Sequence, residues 1–387
     1  MLDEHVLSDR KWGENSQPRL TLVIYKMSGG GAQRVLSIIA NHFAEKGWGI
    51  TLMTFDDGSL PSFYKLHPSI QCVPLSISRQ QPNALSTLLM YLLRPIILRS
   101  AIRKNKPDVV ISFIDLANIL TLVATVGLRV PVIISERVNP AFHSIGCFWS
   151  VLRKMVYRWA ACLVVQTRDV PPFFSTAIQK KINVIPNPVL LPAGNEQNLD
   201  KDGSKKILLA MGRLVDQKGF DLLIKAFAKL KSKFPEWQIN IWGEGEKKTY
   251  LENLCKELSL QKKVIFKGMN QDNYTVMKQA DIFVLSSRYE GFPNVLAEAM
   301  ACGLPVISFD CPSGPSEMIV DEKNGLLISK INDEELAKGI QRLMMDESLA
   351  KELGKEAKKV TDTFSMIKIM NLWEKVILEI INNESKK

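Results

Sequence analysis

Cysteine is sparse and unpatterned in this chain. Cys72, Cys147, Cys162, Cys255, Cys302 and Cys311 are scattered over 387 residues with no C-x-x-C pair. That spacing speaks against a disulfide framework or a zinc site, and for thiols in a reducing compartment. Histidine is scarcer still. His5, His42, His67 and His143 are dispersed, and no H-E-x-x-H occurs. Residues 1–18 are polar and mixed in charge, without the apolar core of a signal peptide. No run of about 20 apolar residues is free of charge, so a membrane-spanning helix is not expected. These absences point to a cytoplasmic protein, with association at the cytoplasmic face of a membrane left open.

What is present suits a large globular chain. Hydrophobic residues make up 46% and charged residues 23%, and mean hydropathy is near zero at +0.01. Disorder and a polytopic membrane protein are both disfavoured. The net charge of +10 is uneven: residues 1–190 hold 21 Lys/Arg against 11 Asp/Glu, and the remainder 29 against 29. A basic first half calls for an anionic partner, which could be a membrane surface, a diphosphate-bearing acceptor or nucleic acid. Nucleic acid is not expected, because no interleaved aromatic platform accompanies the charge.

Short apolar runs alternate with amphipathic helical patterns along the whole chain. Strands are expected at 19–25, 49–55, 108–114, 131–135, 162–166 and 182–185, then at 206–211, 237–242, 264–267, 281–286, 305–309 and 325–328. Such alternation implies parallel, doubly wound sheets. The Pro-, Gly- and Asn-rich stretch 187–206 separates two series of strands. The expected organisation is a first Rossmann-like domain over 1–188, a linker at 189–205, a second Rossmann-like domain over 206–365, and a last amphipathic segment, 366–387, crossing back to the first. The linker contains Asp200-Lys201-Asp202. This D-x-D is set aside as a metal–nucleotide holder because no strand leads into it. Segment 85–106 is densely apolar and ends in Arg94, Arg99, Arg103, Lys104 and Lys106, with Pro95 expected to kink it. It reads either as a basic surface for anionic lipid or as a packed crossover helix.

Three places carry candidate chemistry. After the first strand, Ser28-Gly29-Gly30-Gly31 leads into a helix, a turn in which backbone can approach a phosphate. After the strand at 206–211, Gly212, Arg213 and Lys218 lie in a turn closed by Gly219; two fixed cations there would neutralise a diphosphate leaving group. The stretch from Ser287 to Gly303, SRYEGFPNVLAEAMACG, sets Glu290 before a helix start and Glu298 inside the helix. A helix N-terminus offers free N–H groups and suits an anion. Glu317, in the loop after the strand at 305–309, could bond a ligand hydroxyl or favour the first turn of its own helix.

GRLVDQKGFDLLIKAF, W-G-E-G, E-G-F-P-N-V-L-A-E-A-M-A-C-G-L-P-V-I and N-G-L-L together resemble the family four retaining glycosyltransferases. The likeness covers nearly the whole chain and is strongest from about Ile207 to Ile328. It implies an α/β GT-B fold, two Rossmann-like domains facing across a cleft, with a nucleotide-sugar donor held mainly by the second. It also implies roles. Arg213 and Lys218 would meet the donor diphosphate and Glu290 the sugar hydroxyls, these three forming the catalytic set. Glu298 would hold the ribose. Gly30, Gly31, Gly212, Phe292, Pro293, Asn294 and Val295 would complete the donor site. No metal or other cofactor is expected.

One region departs from that pattern. Many relatives carry a histidine after the fourth strand of the first domain, where this chain reads Ser135-Glu136-Arg137-Val138-Asn139-Pro140. That form resembles bacterial enzymes that extend lipid-linked oligosaccharides, several with UDP-N-acetylhexosamines. Glu136 and Arg137 are therefore carried as sugar or acceptor contacts, and His143 as structural. The expected activity is transfer of a hexose or N-acetylhexosamine from a nucleotide-sugar, UDP-linked, to a glycan acceptor on polyprenyl diphosphate. Two alternatives stand beside it: a sugar-nucleotide epimerase of the same fold, and a non-catalytic binding protein that kept the fold.

Overall fold

The computed structural model describes residues 17–78, 84–190, 205–270 and 272–385. Asp200-Lys201-Asp202 and most of the expected linker lie outside the described residues. The chain divides into two compact units, one of residues 1–186 together with 369–387 and one of residues 187–368.

The first unit is built on β1 (Arg19–Ile24), β2 (Gly49–Thr54), β3 (Gln71–Pro74), β4 (Val109–Phe113), β5 (Val132–Ser135), β6 (Cys162–Val165) and β7 (Ile182–Val184). They form one sheet in the order β3-β2-β1-β4-β5-β6-β7, every pair parallel. β4, β5 and β6 are buried at every residue, as strands covered on both faces must be. That is why continuous runs such as VVISF and CLVV mark them. Sequence reading misses β3, a four-residue edge strand, QCVP, that is largely exposed and ends on proline.

Helices α1 (Gly31–Glu45), α2 (Ala84–Asn105), α3 (Asp115–Thr125) and α4 (Cys147–Val156) connect these strands. α2 continues as one helix through Pro95. Two arginines of this segment serve the domain itself: Arg94 Nε donates to the Ile77 carbonyl at 2.8 Å, and Arg99 Nη1 to the Ala124 and Val126 carbonyls at 2.9 and 2.5 Å. The latter bonds satisfy carbonyls that the end of α3 leaves open.

The last helix, Met366–Ser385, completes the first unit's core. Trp373 is fully buried and stacks on Phe113 of β4, ring centroids 6.0 Å apart with 20° between planes. Beside it, Lys46 at the end of α1 pairs with Glu374 at 2.6 Å.

The second unit holds β8 (Lys206–Met211), β9 (Trp237–Trp242), β10 (Val264–Gly268), β11 (Ile282–Leu285), β12 (Val306–Phe309) and β13 (Leu326–Ile328). Their order is β10-β9-β8-β11-β12-β13, again all parallel. Helix Phe220–Ala228 buries Phe220, Leu223, Ile224 and Phe227, the three- and four-residue spacing of one helix face. In each unit the strand order reverses once, between β1 and β4 and between β8 and β11. At such a switch point the loops leaving the strands' C-terminal ends part and leave room for a ligand. Among the described residues no helix is long and apolar enough to cross a membrane.

Replacing Trp373 by Ala should lower stability by about 3–5 kcal/mol, the cost of emptying a buried aromatic site. Trp373→Phe should cost far less, because the buried indole N–H has no hydrogen-bond partner to lose among the described residues. Denaturant unfolding of both variants checks this, and equal losses would count against it.

Candidate functional site

In the second unit the residues singled out from sequence gather on either side of the β8/β11 switch point. The loop after β8 carries Gly212, Arg213 and Lys218; the loop after β11 carries Glu290. Lys218 Nζ donates to Glu290 Oε1 at 2.6 Å, and both side chains are largely buried. Ser287 Oγ donates to the same oxygen, also at 2.6 Å. Glu290 is thus a fixed carboxylate with both of these bonds on one oxygen. Gly212 has φ near 153°, and a Cβ there would lie 3.1–3.3 Å from the Lys218 stem. The glycine leaves the channel along which the lysine reaches the glutamate.

Further bonds tie the two loops together. Ser286 Oγ donates to the Lys218 carbonyl at 2.9 Å, Gln217 Nε2 to the Tyr289 carbonyl at 3.0 Å, and the Arg288 amide to the Gln217 carbonyl at 2.8 Å. Arg288 holds Asp221 through two N–H···O bonds of 2.9 and 2.8 Å, the fork geometry that arginine supplies to a carboxylate. This pair lowers the Asp221 pKa against the opposing effect of burial, and raises that of Arg288. Gly219, at φ 61°, passes so close to Ser286 that a Cβ would fall 2.0 Å from its carbonyl oxygen. Arg213 differs from its neighbours. It is exposed, and its guanidinium makes no hydrogen bond or ion pair among the described residues, so it is a cation available to a ligand.

Helix Asn294–Ala301 begins directly after this loop, with Pro293 at its N-cap. Glu298 is buried within it and accepts from Asn273 Nδ2 at 2.8 Å. Asn294 Oδ1 accepts from Asn187 Nδ2 at 2.7 Å. The Phe292 ring turns inward, edge-on to Phe364 at 5.5 Å. Val295 is half-buried in the first turn. Glu317 sits in the short helix Pro315–Met318, in its first turn.

In the first unit, Gly30 and Gly31 open α1. Gly30 is extended, at φ 171°. The Tyr64 hydroxyl bridges it, accepting from the Gly30 amide at 3.2 Å and donating to its carbonyl at 3.0 Å.

Glu136 and Arg137 follow β5, at the same edge as the end of β4. Both are buried and turn to different partners. Tyr157 Oη donates to Glu136 Oε1 at 2.5 Å, and Arg153 Nη1 stands 3.9 Å from that oxygen. Burial, reinforced by the nearby Asp115 charge, pushes the Glu136 carboxyl up to about 7, against the Tyr157 bond and Arg153. Arg137 donates to Ser135 Oγ at 3.2 Å, and its charge lies 4.8 Å from the Phe113 ring centroid. Burial draws its pKa down to about 9, so it remains cationic at neutral pH. Asp115 follows Ile114, which adopts φ 76°, a costly conformation for a β-branched residue. His143 Nε2 lies 3.3 Å from Asp115 Oδ2. That bond raises the His143 pKa against partial burial. His143 is thus a half-exposed member of an acidic cluster.

Comparison with known proteins follows the division into units. Residues 29–191 match the family model described as Glycosyltransferase Family 4, and residues 194–360 match Glycosyl transferases group 1. The chain belongs to the family four glycosyltransferases. It is 29% identical over 366 residues, 94% of this chain and 99% of the relative, to a Campylobacter jejuni enzyme. That enzyme is named GalNAc-alpha-(1->4)-GalNAc-alpha-(1->3)-diNAcBac-PP-undecaprenol alpha-1,4-N-acetyl-D-galactosaminyltransferase. Among solved structures, sucrose-phosphate synthase from Thermosynechococcus elongatus superposes with a TM-score of 0.82 at 19% identity, covering 95% of this chain and all of that one (100%). Anabaena HepE, solved with UDP and glucose, gives 0.77 at 19%, covering 93% and 99%. At these identities the structures speak for the fold, which is GT-B.

Several residues of this glycosyltransferase escape sequence reading. Ser287 lies inside the motif and could have been found as the hydroxyl preceding Glu290. Asp221, Asn273 and Arg288 carry no local signal. Neither do Asp115, Arg153 and Tyr157, which lie on different elements and meet Glu136 and His143 only through the sheet.

The Glu136 cluster sets a pH dependence. A carboxyl raised from 4.5 to about 7 in the folded state binds more protons folded than unfolded between those values. Stability should therefore fall as pH rises from about 5 to 7.5, by at most roughly 1.4 kcal/mol for each pH unit in that window. Glu136→Gln should flatten that slope. His143, also raised, contributes in the same direction and should leave part of it in place. Thermal unfolding across pH checks this, and an unchanged slope in the variant would refute it.

Proposed function

We propose that this glycosyltransferase moves an N-acetylhexosamine or hexose from a UDP-sugar, with retention, to a glycan carried on polyprenyl diphosphate. The observation that carries the reading is the pairing of an exposed Arg213 with the fixed Lys218–Glu290 pair at the switch point of the second unit. This arrangement suits a ligand with a diphosphate at one end and hydroxyls at the other. The Campylobacter jejuni relative, named for a diphospho-undecaprenol-linked acceptor, and HepE, solved with UDP, support the choice of substrates.

In this reading Arg213 and Lys218 neutralise the diphosphate as it leaves, and N–H groups at the start of helix Asn294–Ala301 add to that field. Glu290 presents Oε2 to the sugar hydroxyls while Lys218 and Ser287 hold Oε1. Glu298, fixed by Asn273, takes the ribose. The backbone of Gly212, Phe292 and Pro293, together with Asn294 and Val295, completes the donor site. The C1–O bond to the diphosphate breaks with its electron pair, the acceptor oxygen bonds to C1, and a diphosphate oxygen takes the hydroxyl proton. No residue is needed as nucleophile, and Glu290 and Glu298 are hydroxyl-binding groups in place of an acid–base pair. Glu136 and Arg137, being buried, would shape the acceptor side from beneath.

Purified protein offered a panel of nucleotide-sugars with a lipid-linked glycan acceptor should release UDP and form an α-linked product. Arg213→Ala and Lys218→Ala should each reduce turnover by roughly 10²–10³-fold, the scale of a lost oxyanion contact. Unchanged UDP release in both variants would defeat the assignment. Isomerisation of the sugar without any acceptor would identify an epimerase instead.

A further inference from the structure

α4 leaves an apolar row uncovered. A helix on the surface of a globular domain buries its apolar stripe and exposes its polar one. α4 does this in part, since Trp149, Leu152 and Val156 pack on the first unit's core beside the buried Arg153, yet Phe148 is 70% exposed, Val151 53% and Met155 49%. Arg153 points inward because Glu136 is there, and its guanidinium also lies 5.0 Å from the Phe173 ring centroid. Residues 148, 151 and 155 recur at three- and four-residue steps and so share one face. Trp159, 51% exposed at the end of the 3-10 turn Tyr157–Trp159, extends the row. Single exposed apolar residues are ordinary, but a contiguous row is the mark of an interaction surface.

Charge indicates what covers it. From residue 137 to residue 168 the chain has five Lys/Arg and no Asp/Glu. Two of these cations, Lys154 and Arg158, are exposed beside the apolar row. An apolar face flanked by basic residues, on a helix too short and too charged to span a bilayer, is the pattern of an interfacial helix. Segment 85–106, the other candidate for such a surface, uses Arg94 and Arg99 to hold backbone carbonyls of its own domain.

We propose that α4 is a docking face for an anionic lipid bilayer, with Phe148, Val151, Met155 and Trp159 entering the headgroup boundary and Lys154 and Arg158 meeting lipid phosphates. This deepens the reading of a lipid-linked acceptor and rests on it for its purpose. Docking the acceptor-binding unit on the surface that carries the acceptor converts a search in three dimensions into one in two.

The full chain should co-sediment with vesicles of phosphatidylcholine and phosphatidylglycerol, and much less with phosphatidylcholine alone. Added salt should weaken binding. The variant F148S/V151S/M155S should lose about ten-fold or more in vesicle affinity, as removal of the inserted apolar area requires. Its UDP affinity should equal that of the parent, since none of these residues belongs to the donor site. K154E/R158E should lose most of the preference for anionic lipid, whereas R103E/K104E on α2 should keep it. Parent-like vesicle binding by F148S/V151S/M155S would overturn the proposal. So would self-association through this face without vesicle binding, which would make a second copy its occupant. A parent chain that binds vesicles but no UDP would count against the proposed function while leaving the docking face intact.

Discussion

The bond between Lys218 and Glu290 joins the two halves of the second sheet at the point where its strand order turns back. An ion pair this short and this little hydrated is costly to assemble, because both charges give up water. Here the cost is offset by geometry: Ser287 adds a second bond to the same oxygen, and Gly212 clears the path of the lysine stem. Around that pair, Ser286, Gln217 and Arg288–Asp221 fasten one loop to the other. The surrounding structure consequently holds a carboxylate and an ammonium in fixed positions before any ligand arrives, and such preorganisation is where electrostatic catalysis draws its strength. Arg213 is left exposed beside them, a cation with no internal partner among the described residues.

The first unit solves a different problem with similar groups. Glu136, Asp115, Arg153, Tyr157 and His143 meet at the open edge of its sheet, and burial dominates the chemistry of Glu136 and Tyr157. Glu136 keeps a proton close to neutral pH, while Tyr157 is pushed well above its ordinary range by burial and by the same glutamate. The strained backbone at Ile114, directly before Asp115, is offset by the packing of β4 and α3 on either side of it. The second unit fixes an ion pair between two loops; in the first, burial governs the protonation of Glu136 and Tyr157.

Much of this is legible in the sequence, for a physical reason. Strands buried on both faces have to be continuous apolar runs, so β4, β5, β6, β8, β11 and β12 announce themselves to within a residue or two, while β9 shows the alternation of a strand less covered on one face. β3 does not, because an exposed edge strand has no such requirement. Pro95 lies inside α2, which carries on as one helix through it. The glutamate and cation loops can be located because glycines and prolines punctuate them. Their contacts cannot: Asp221–Arg288 and Asn273–Glu298 join residues 67 and 25 positions apart. The Glu136 cluster and the exposed row on α4 are hidden for the same reason, since a helical pattern tells which residues share a face but not which face is left uncovered.

Trp373 has a consequence for how the protein is made. It belongs to the core of the unit that the ribosome produces first, yet it is translated after the entire second unit. At roughly 5–20 residues per second, Phe113 and its neighbours wait tens of seconds for the indole that covers them. During that interval the second unit can fold while the first stays open along one side, exposing apolar surface to chaperones or to other nascent chains. Completion of the earlier-made half is therefore a late event, and any early stop before Trp373 harms the part of the molecule farthest from it in sequence.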